Sequence, residues 1–245
     1  MRSAFFAIGL LVISMSAAGQ EVSASPNEVG FKLMLEGGQF TNAINIVLMM
    51  TVLSLAPSIV TMMTAFLRIS IVLSTLKRAI GTSDPSPKLV AAMSMFLTMF
   101  VMYPVWTAIY TDSIQPYSEK KITQAEAMEK ATAPVKEFML KQTRDSSLIL
   151  FMELAEMEPV ESPEQLPMWL IVPGFILSEL KTAFQMSFLI YLPFLLIDIV
   201  VATVLMAMGM MMLPPQSISL PFKLLLFIVV DGWEMVIRSL VRSFN

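Results

Sequence analysis

Four charges stand in apolar surroundings in this chain. Arg68 lies in Phe66-Leu-Arg-Ile-Ser-Ile-Val-Leu73, Glu179 in the short polar interruption Ser178-Glu-Leu-Lys-Thr-Ala-Phe-Gln185, Asp198 shortly after Pro193, and Lys223 in the run Ser217–Val230. A charge at membrane-like depth is expensive, so it is paired, faces water, or snorkels to an interface. For Glu179 and Asp198 the sequence predicts a partner or an aqueous path; for Arg68 a partner, water and a helix-end interface all stay open. The other chemistry-bearing stretch is Met206-Ala-Met-Gly-Met-Met-Met-Leu-Pro-Pro215, with five methionines in seven residues. Thioether side chains are flexible and polarizable, and they conform to irregular or changing shapes but specify a packing poorly. Gly209 permits backbone angles that other residues avoid, and Pro214–Pro215 cannot continue a helix. This describes a compliant apolar lip on a loop carrying Met210, Met211 and Met212, or else a methionine-rich helix end facing lipid.

The chemistry these residues offer is pairing and sealing. The chain has no histidine and no cysteine, which removes thiol nucleophiles, disulfides, histidine bases and the usual zinc and haem sites. No paired acidic motif falls in an apolar segment, no serine sits in a nucleophile-elbow motif, and no Gly-Lys-Ser/Thr phosphate loop is present. The expectation is a protein that is not an enzyme and that needs no cofactor or metal. Of 245 residues 56% are hydrophobic and 14% charged, with a mean hydropathy of +0.73. Soluble domains carry roughly 25% charged residues, so the composition predicts a membrane or membrane-derived protein. A net charge of −3 leaves no basic footprint for nucleic acid.

The elements that must position these residues can be taken in chain order. Residues 1–18 read as a cleavable signal peptide, with Arg2, the short apolar run Ala4–Ile13 and the small residues Ser16-Ala17-Ala18. Residues 19–40 form a polar leader outside the cytoplasm. Residues 41–110 read as a first hydrophobic helical hairpin, with Pro57 expected to kink or break its first arm and Pro104 lying in its second. Lys77, Arg78 and Gly81 end one helix, Ser86-Pro87 starts the next, and Lys77, Arg78 and Lys88 mark the turn as cytoplasmic. Residues 111–167 change character, with eleven acidic against six basic side chains. Thr123-Gln-Ala-Glu126 is a capping box, and two short amphipathic helices follow. Phe138 and Phe151 on them serve either that segment's own core or a neighbouring subunit. Residues 168–245 form a second hydrophobic helical region, in which the interruption at Ser178–Gln185 predicts a strained hairpin. Prolines and single charges recurring in long apolar helices point to broken helices around a cavity or pore.

These residues resemble a known family. The blocks are Pro57-x4-Met62-Met-Thr-x-Phe-x-Arg68-Ile, Phe96-Leu-Thr-Met-Phe-Val-Met-x-Pro104, Gln115-Pro-x-Ser-Glu, Glu137-Phe-Met, Ser178-Glu-Leu-Lys-Thr-Ala-Phe-Gln185 and Pro193-Phe-x3-Asp198. Met206-x-x-Gly-Met-Met-Met-x-Pro-Pro215 and Leu220-Pro-Phe-Lys-x3-Phe-x3-Asp-Gly-Trp233 complete the set. Together they cover essentially the whole mature chain and resemble the FliP family of flagellar type III export-gate membrane proteins, with injectisome relatives of the SctR type. The resemblance implies an all-α, membrane-inserted protein of broken or kinked helical hairpins with a small helical periplasmic insertion, assembling into a helical ring. It implies five copies joined to FliQ and FliR and other export-apparatus membrane proteins in the bacterial inner membrane at the flagellar basal body. The assembled complex would lie largely on the periplasmic side, and unfolded flagellar substrates would pass through it. It further implies that Met210, Met211 and Met212 form a gasket, with Gly209 letting the loop move, and that Glu179 and Lys223 form an ion pair. That pair is either an intersubunit lock or a static neutralisation of two costly charges. Arg68, Phe138, Phe151 and Asp198 are candidate assembly contacts. The residues alone also permit a small-solute or ion transporter, whereas an intramembrane enzyme is disfavoured.

Overall fold

A computed structural model describes residues 40–82, 85–157, 160, 162–210 and 212–244. The expected signal peptide and nearly all of the leader therefore lie outside the described residues. Two compact units divide the chain, residues 1–56 and 57–245. In the first, the described residues belong to helix α1 (Phe40–Met62), which continues across the division; the Thr51 and Ser54 hydroxyls donate to the carbonyls of Val47 and Met50, four residues back.

All regular structure among the described residues is helical. The break expected at Pro57 falls instead at residues 63–65, because the backbone stays helical through Pro57. Thr64 explains the displacement. Its hydroxyl donates to the Thr61 carbonyl at 3.0 Å and accepts from the Phe66 N–H at 3.4 Å, offering the backbone an alternative to the helical ladder. Helix α2 (Phe66–Ile80) then places Ile69, Val72, Leu73, Leu76, Ala79 and Ile80 on one buried face. Gly81 ends it at φ +85°, its N–H donating to the Lys77 and Arg78 carbonyls. Ser86 caps α3 (Pro87–Val101) by accepting from the Leu89 N–H, with Pro87 in the first turn.

A bend of 58° separates α3 from the helical stretch Tyr103–Ser118. Pro104 supplies the cause, since it donates no hydrogen bond and its ring crowds the carbonyl four residues earlier. That stretch comprises α4 (Tyr103–Ile109), a π-turn at Tyr110–Ile114 and α5 (Gln115–Ser118). Thr123 and Glu126 form the capping box that opens α6 (Gln124–Gln142). The Glu126 carboxylate takes the Thr123 N–H at 2.8 Å, and this backbone bond, followed by the one from the Thr123 hydroxyl, holds its pKa below the usual value. Helix α7 (Asp145–Leu154) follows α6 in the acidic segment.

The expected hairpin at Ser178–Gln185 is corrected: Met168–Ala207 is a single helix, α8, of 40 residues. Ser178 and Glu179 are buried against α6 and α2 rather than turned out at a loop. Within the polar interruption Ser178, Glu179, Thr182 and Gln185 all have hydrogen-bond partners, so the helix has no reason to stop there. At 1.5 Å per residue α8 is about 60 Å long, twice the roughly 30 Å of bilayer hydrocarbon. Set upright, half of it would lie outside. Among the described residues α8 is the one helix long and apolar enough to cross a membrane, and α3 with Tyr103–Ser118 passes as a bent pair.

Helix α8 is the spine of the second unit. It packs mainly against α2, and also against α7, α6 and the antiparallel α9 (Pro215–Val229). One core gathers the α2 face with Ala183, Phe194 and Phe227; another gathers Met139, Leu148, Leu166, Leu170, Ile171 and Phe175. Asp231, at φ +49°, turns the chain from α9 into α10 (Gly232–Arg242). A Cβ on Gly232 would stand 2.2 Å from the Phe227 ring. That ring is buried and held between Phe194 at 6.3 Å and Trp233 at 5.4 Å. Gly232→Ala is therefore expected to destabilise the fold by about 1–3 kcal/mol through overpacking. Thermal unfolding in detergent checks this, and Phe227→Leu in the same chain should recover most of the loss.

Candidate functional site: the methionine loop and its charged braces

Helix α8 closes with a double backbone lock. The Gly209 N–H donates to the Met206 carbonyl at 3.0 Å, and the Met210 N–H to the Leu205 carbonyl at 2.9 Å. With Gly209 at φ +74°, this is a Schellman motif with glycine in its left-handed position. Open space surrounds the place a Gly209 Cβ would take, so backbone conformation rather than crowding calls for glycine. Four residues later Pro214 and Pro215 begin α9. The loop between is thus short and fixed at both ends. Its apolar side chains are turned away from the core: Met208 is 61% exposed, Met210 42%, Met212 96% and Leu213 45%. Met211 lies outside the described residues.

Two buried charge clusters hold the helices that carry this loop. In the first, Lys223 of α9 donates to Asp198 Oδ2 of α8 at 2.6 Å and to the Ala79 carbonyl near the end of α2 at 3.2 Å. Ser219 donates to the other oxygen, Oδ1, at 2.6 Å. Lys223 is 5% exposed and both Asp198 oxygens are engaged, so the α8–α9 pair is tied below the loop by bonds that leave no buried charge alone. Asp198 also lines an open cleft of about 520 Å³ with Ile199, Ala202, Pro214, Pro215 and Gln216.

The second cluster centres on Arg68. Its Nε donates to Glu179 Oε2 at 2.9 Å, and Nη2 donates to Glu179 Oε1 and, at 3.1 Å, to Gln142 Oε1. Nη1 donates to the Ser243 carbonyl at 2.8 Å and its hydroxyl at 2.9 Å. All five guanidinium N–H groups are thereby used. The Phe244 ring lies 3.9 Å from the guanidinium carbon, a cation–π contact. Gln142 Nε2 donates to the Phe244 carbonyl at 3.0 Å, closing the network. Arg68 and Glu179 are 2% and 0% exposed. Arg68 therefore does not snorkel; it has a bidentate carboxylate partner.

Within this chain Glu179 and Lys223 are not paired with each other: Glu179 is held by Arg68 and Lys223 by Asp198. Glu179 and Asp198 are 19 positions apart on α8, about 28 Å along the helix. The antiparallel α9 brings Lys223 level with Asp198. Each charge already has its own partner, so a pair between copies would require both to exchange. Phe138 and Phe151 are half-buried in the chain's own packing. Phe138 meets Phe175 edge-on at 6.1 Å and stacks on Phe244 at 6.3 Å. Phe151 lies beside Gly174 of α8.

Sequence reasoning missed Gln142, Ser243, Phe244 and Ser219. Each is an ordinary residue type in its setting, and only the fold joins it to a charge 21 to 176 positions away. The helical register offers a partial signal for Ser219, which stands four residues before Lys223.

Comparison with known proteins gives consistent matches. A family model described as the FliP family matches residues 49–240. A protein named flagellar biosynthetic protein FliP from Pectobacterium carotovorum subsp. carotovorum is 46% identical, over 97% of this chain and 91% of that protein. Its namesake from Bacillus subtilis is 48% identical over 83% of this chain and 93% of its own length. The Borreliella burgdorferi protein of the same name is 39% identical over the full length of both.

Proposed function

This chain belongs to the FliP family, and from that premise we propose that it is a pore-forming core subunit of the flagellar type III protein export gate. It conducts unfolded flagellar substrates across the bacterial inner membrane, and its methionine loop seals the closed channel. It works in a ring of five copies with FliQ and FliR, at the flagellar basal body and largely on the periplasmic side. The observation that carries this reading is the short loop at 208–213, held at both ends and turning Met210 and Met212 out of the chain's own core. Thioethers left out of the core of one chain can form a shared apolar constriction when copies meet around an axis. Such a constriction resists wetting, yet it fits chains of varying width without specific hydrogen bonds. The length of α8 supports a protein that projects beyond the bilayer.

The absence of native cysteine makes the test direct. With Met212→Cys expressed alongside FliQ and FliR, mild oxidation is expected to give a disulfide-linked dimer, because copies converging on an axis bring Cα atoms within about 7 Å. A second cysteine at a neighbouring loop position should give higher products. An assembled complex without any cross-link would place the loop on the lipid face and favour the transporter alternative.

A further inference from the structure

We propose that the groove between α2 and α3 is a binding site for one anionic phospholipid, with the phosphate held by Lys77 and Arg78 and an acyl chain lying between the two helices. The groove holds about 290 Å³ and is lined on α2 by Phe66, Ser70, Ser74, Lys77 and Arg78. Its α3 wall is Pro87, Val90, Ala91 and Ser94. Phe66, Ser70, Ser74 and Lys77–Arg78 recur at intervals of three to four, so they form one stripe along α2. Small side chains along both walls leave the space open. The Ser70 and Ser94 hydroxyls donate to their own helices, to Leu67 and Val90 carbonyls, and so present little polarity to an occupant.

The two ends of the groove differ, and that difference selects the ligand. At one end stand two cations, beside the turn that leads to Lys88. Among the described residues no carboxylate lies within ion-pair distance of Lys77, Arg78 or Lys88; the one bond from Arg78 goes to the Thr75 hydroxyl at 3.0 Å. At the other end stands the Phe66 ring. Eleven residues separate Phe66 from Lys77, about 16 Å along the helix, which matches one leaflet, half of the roughly 30 Å hydrocarbon core. A slot of one leaflet's depth, apolar at its inner end and cationic at its outer end, has the shape and charge pattern of a phospholipid. Basic pockets between helices on the cytoplasmic side recognise anionic headgroups in this way.

The site rests on the membrane-inserted reading above, but its test is a binding measurement that needs no working pore. The full chain, purified in mild detergent, is exposed to dioleoylphosphatidylglycerol or dioleoylphosphatidylcholine and examined by native mass spectrometry. One phosphatidylglycerol per chain should be retained, and the zwitterionic lipid far more weakly. Lys77→Gln with Arg78→Gln should weaken phosphatidylglycerol binding about thirtyfold, the worth of two basic groups near an anionic headgroup. Both side chains reach solvent, so the fold should survive. Ser74→Trp fills the slot while keeping both cations and should also abolish retention. Equal retention of the two lipids, or binding that survives the double substitution, would overturn the site. Binding that survives Ser74→Trp would reduce it to a surface charge effect. Displacement by millimolar inorganic phosphate would make the ligand a free anion. Self-association through this face with no lipid bound would make it a seat for a second copy.

Discussion

Glu179→Gln is expected to cost the folded chain roughly 3–5 kcal/mol, because it leaves Arg68 charged and buried with no opposing charge. The remaining acceptors, Gln142 and Ser243, are neutral, and the Phe244 ring offers only its quadrupole. The measurement is unfolding of the detergent-solubilised chain, read as a double-mutant cycle. Arg68→Met and Glu179→Gln should couple strongly, by about 0.5–3 kcal/mol, since each removes the other's partner. Glu179→Gln and Lys223→Met should add with little coupling, since Lys223 belongs to Asp198. The opposite pattern would return Glu179 to Lys223. Repeating the cycle in the assembled complex asks a separate question. Coupling between Glu179 and Lys223 that emerges only there would mean that assembly exchanges partners, each charge leaving its intrachain contact for a neighbouring copy.

The second large effect concerns leakage. Replacing Met210, Met211 and Met212 together by alanine should raise ion conductance through the resting gate by roughly tenfold or more. A tenfold rise needs the dry barrier to fall by only about 1.4 kcal/mol. One large apolar side chain contributes roughly 1.5–3 kcal/mol when withdrawn from water, so three truncations exceed what is required. Stability should change little, since Met210 and Met212 lie outside the core of the chain. Membrane conductance with the gate expressed and no substrate present is the measurement. An unchanged leak with normal secretion would remove the gasket role. Gly209→Ala should act differently, through strain at φ +74° that loosens the end of α8 rather than through lost apolar surface.

Local signals in the sequence carried much of the fold. The Gly81 stop, the Ser86-Pro87 start and the Thr123–Glu126 capping box each depend on residues within four positions of one another, and the structure forms all three. The bend near Pro104 is equally local. The first arm is broken as expected, though past Pro57, whereas the Ser178–Gln185 interruption is continuous helix. A proline removes one hydrogen bond that a helix can do without, while two nearby threonines shift the break to residues 63–65. A polar patch reads as a loop only when its partners are unseen, and the partners of Ser178 and Glu179 lie on α6 and α2. The methionine loop was legible because composition and the Gly and Pro-Pro punctuation sit in ten consecutive residues. The charge partners were not, because pairing depends on which helix faces which, and on a helix length that the polar patch disguised.

The Arg68 cluster also sets a timetable. Its bonds span 74, 111 and 175 positions of sequence. At a synthesis rate of about 5–20 residues per second, Ser243 follows Arg68 out of the ribosome by about 10–35 s. For that interval the guanidinium has neither the Ser243 acceptors nor the Phe244 ring, and for most of it no Glu179. A charge that cannot be left bare in an apolar setting must therefore stay hydrated, or be sheltered by another molecule, until Glu179 emerges, and the cluster is complete only when nearly the whole described chain has been made. Closure of the cluster is consequently a late, high-contact-order event in the birth of this protein.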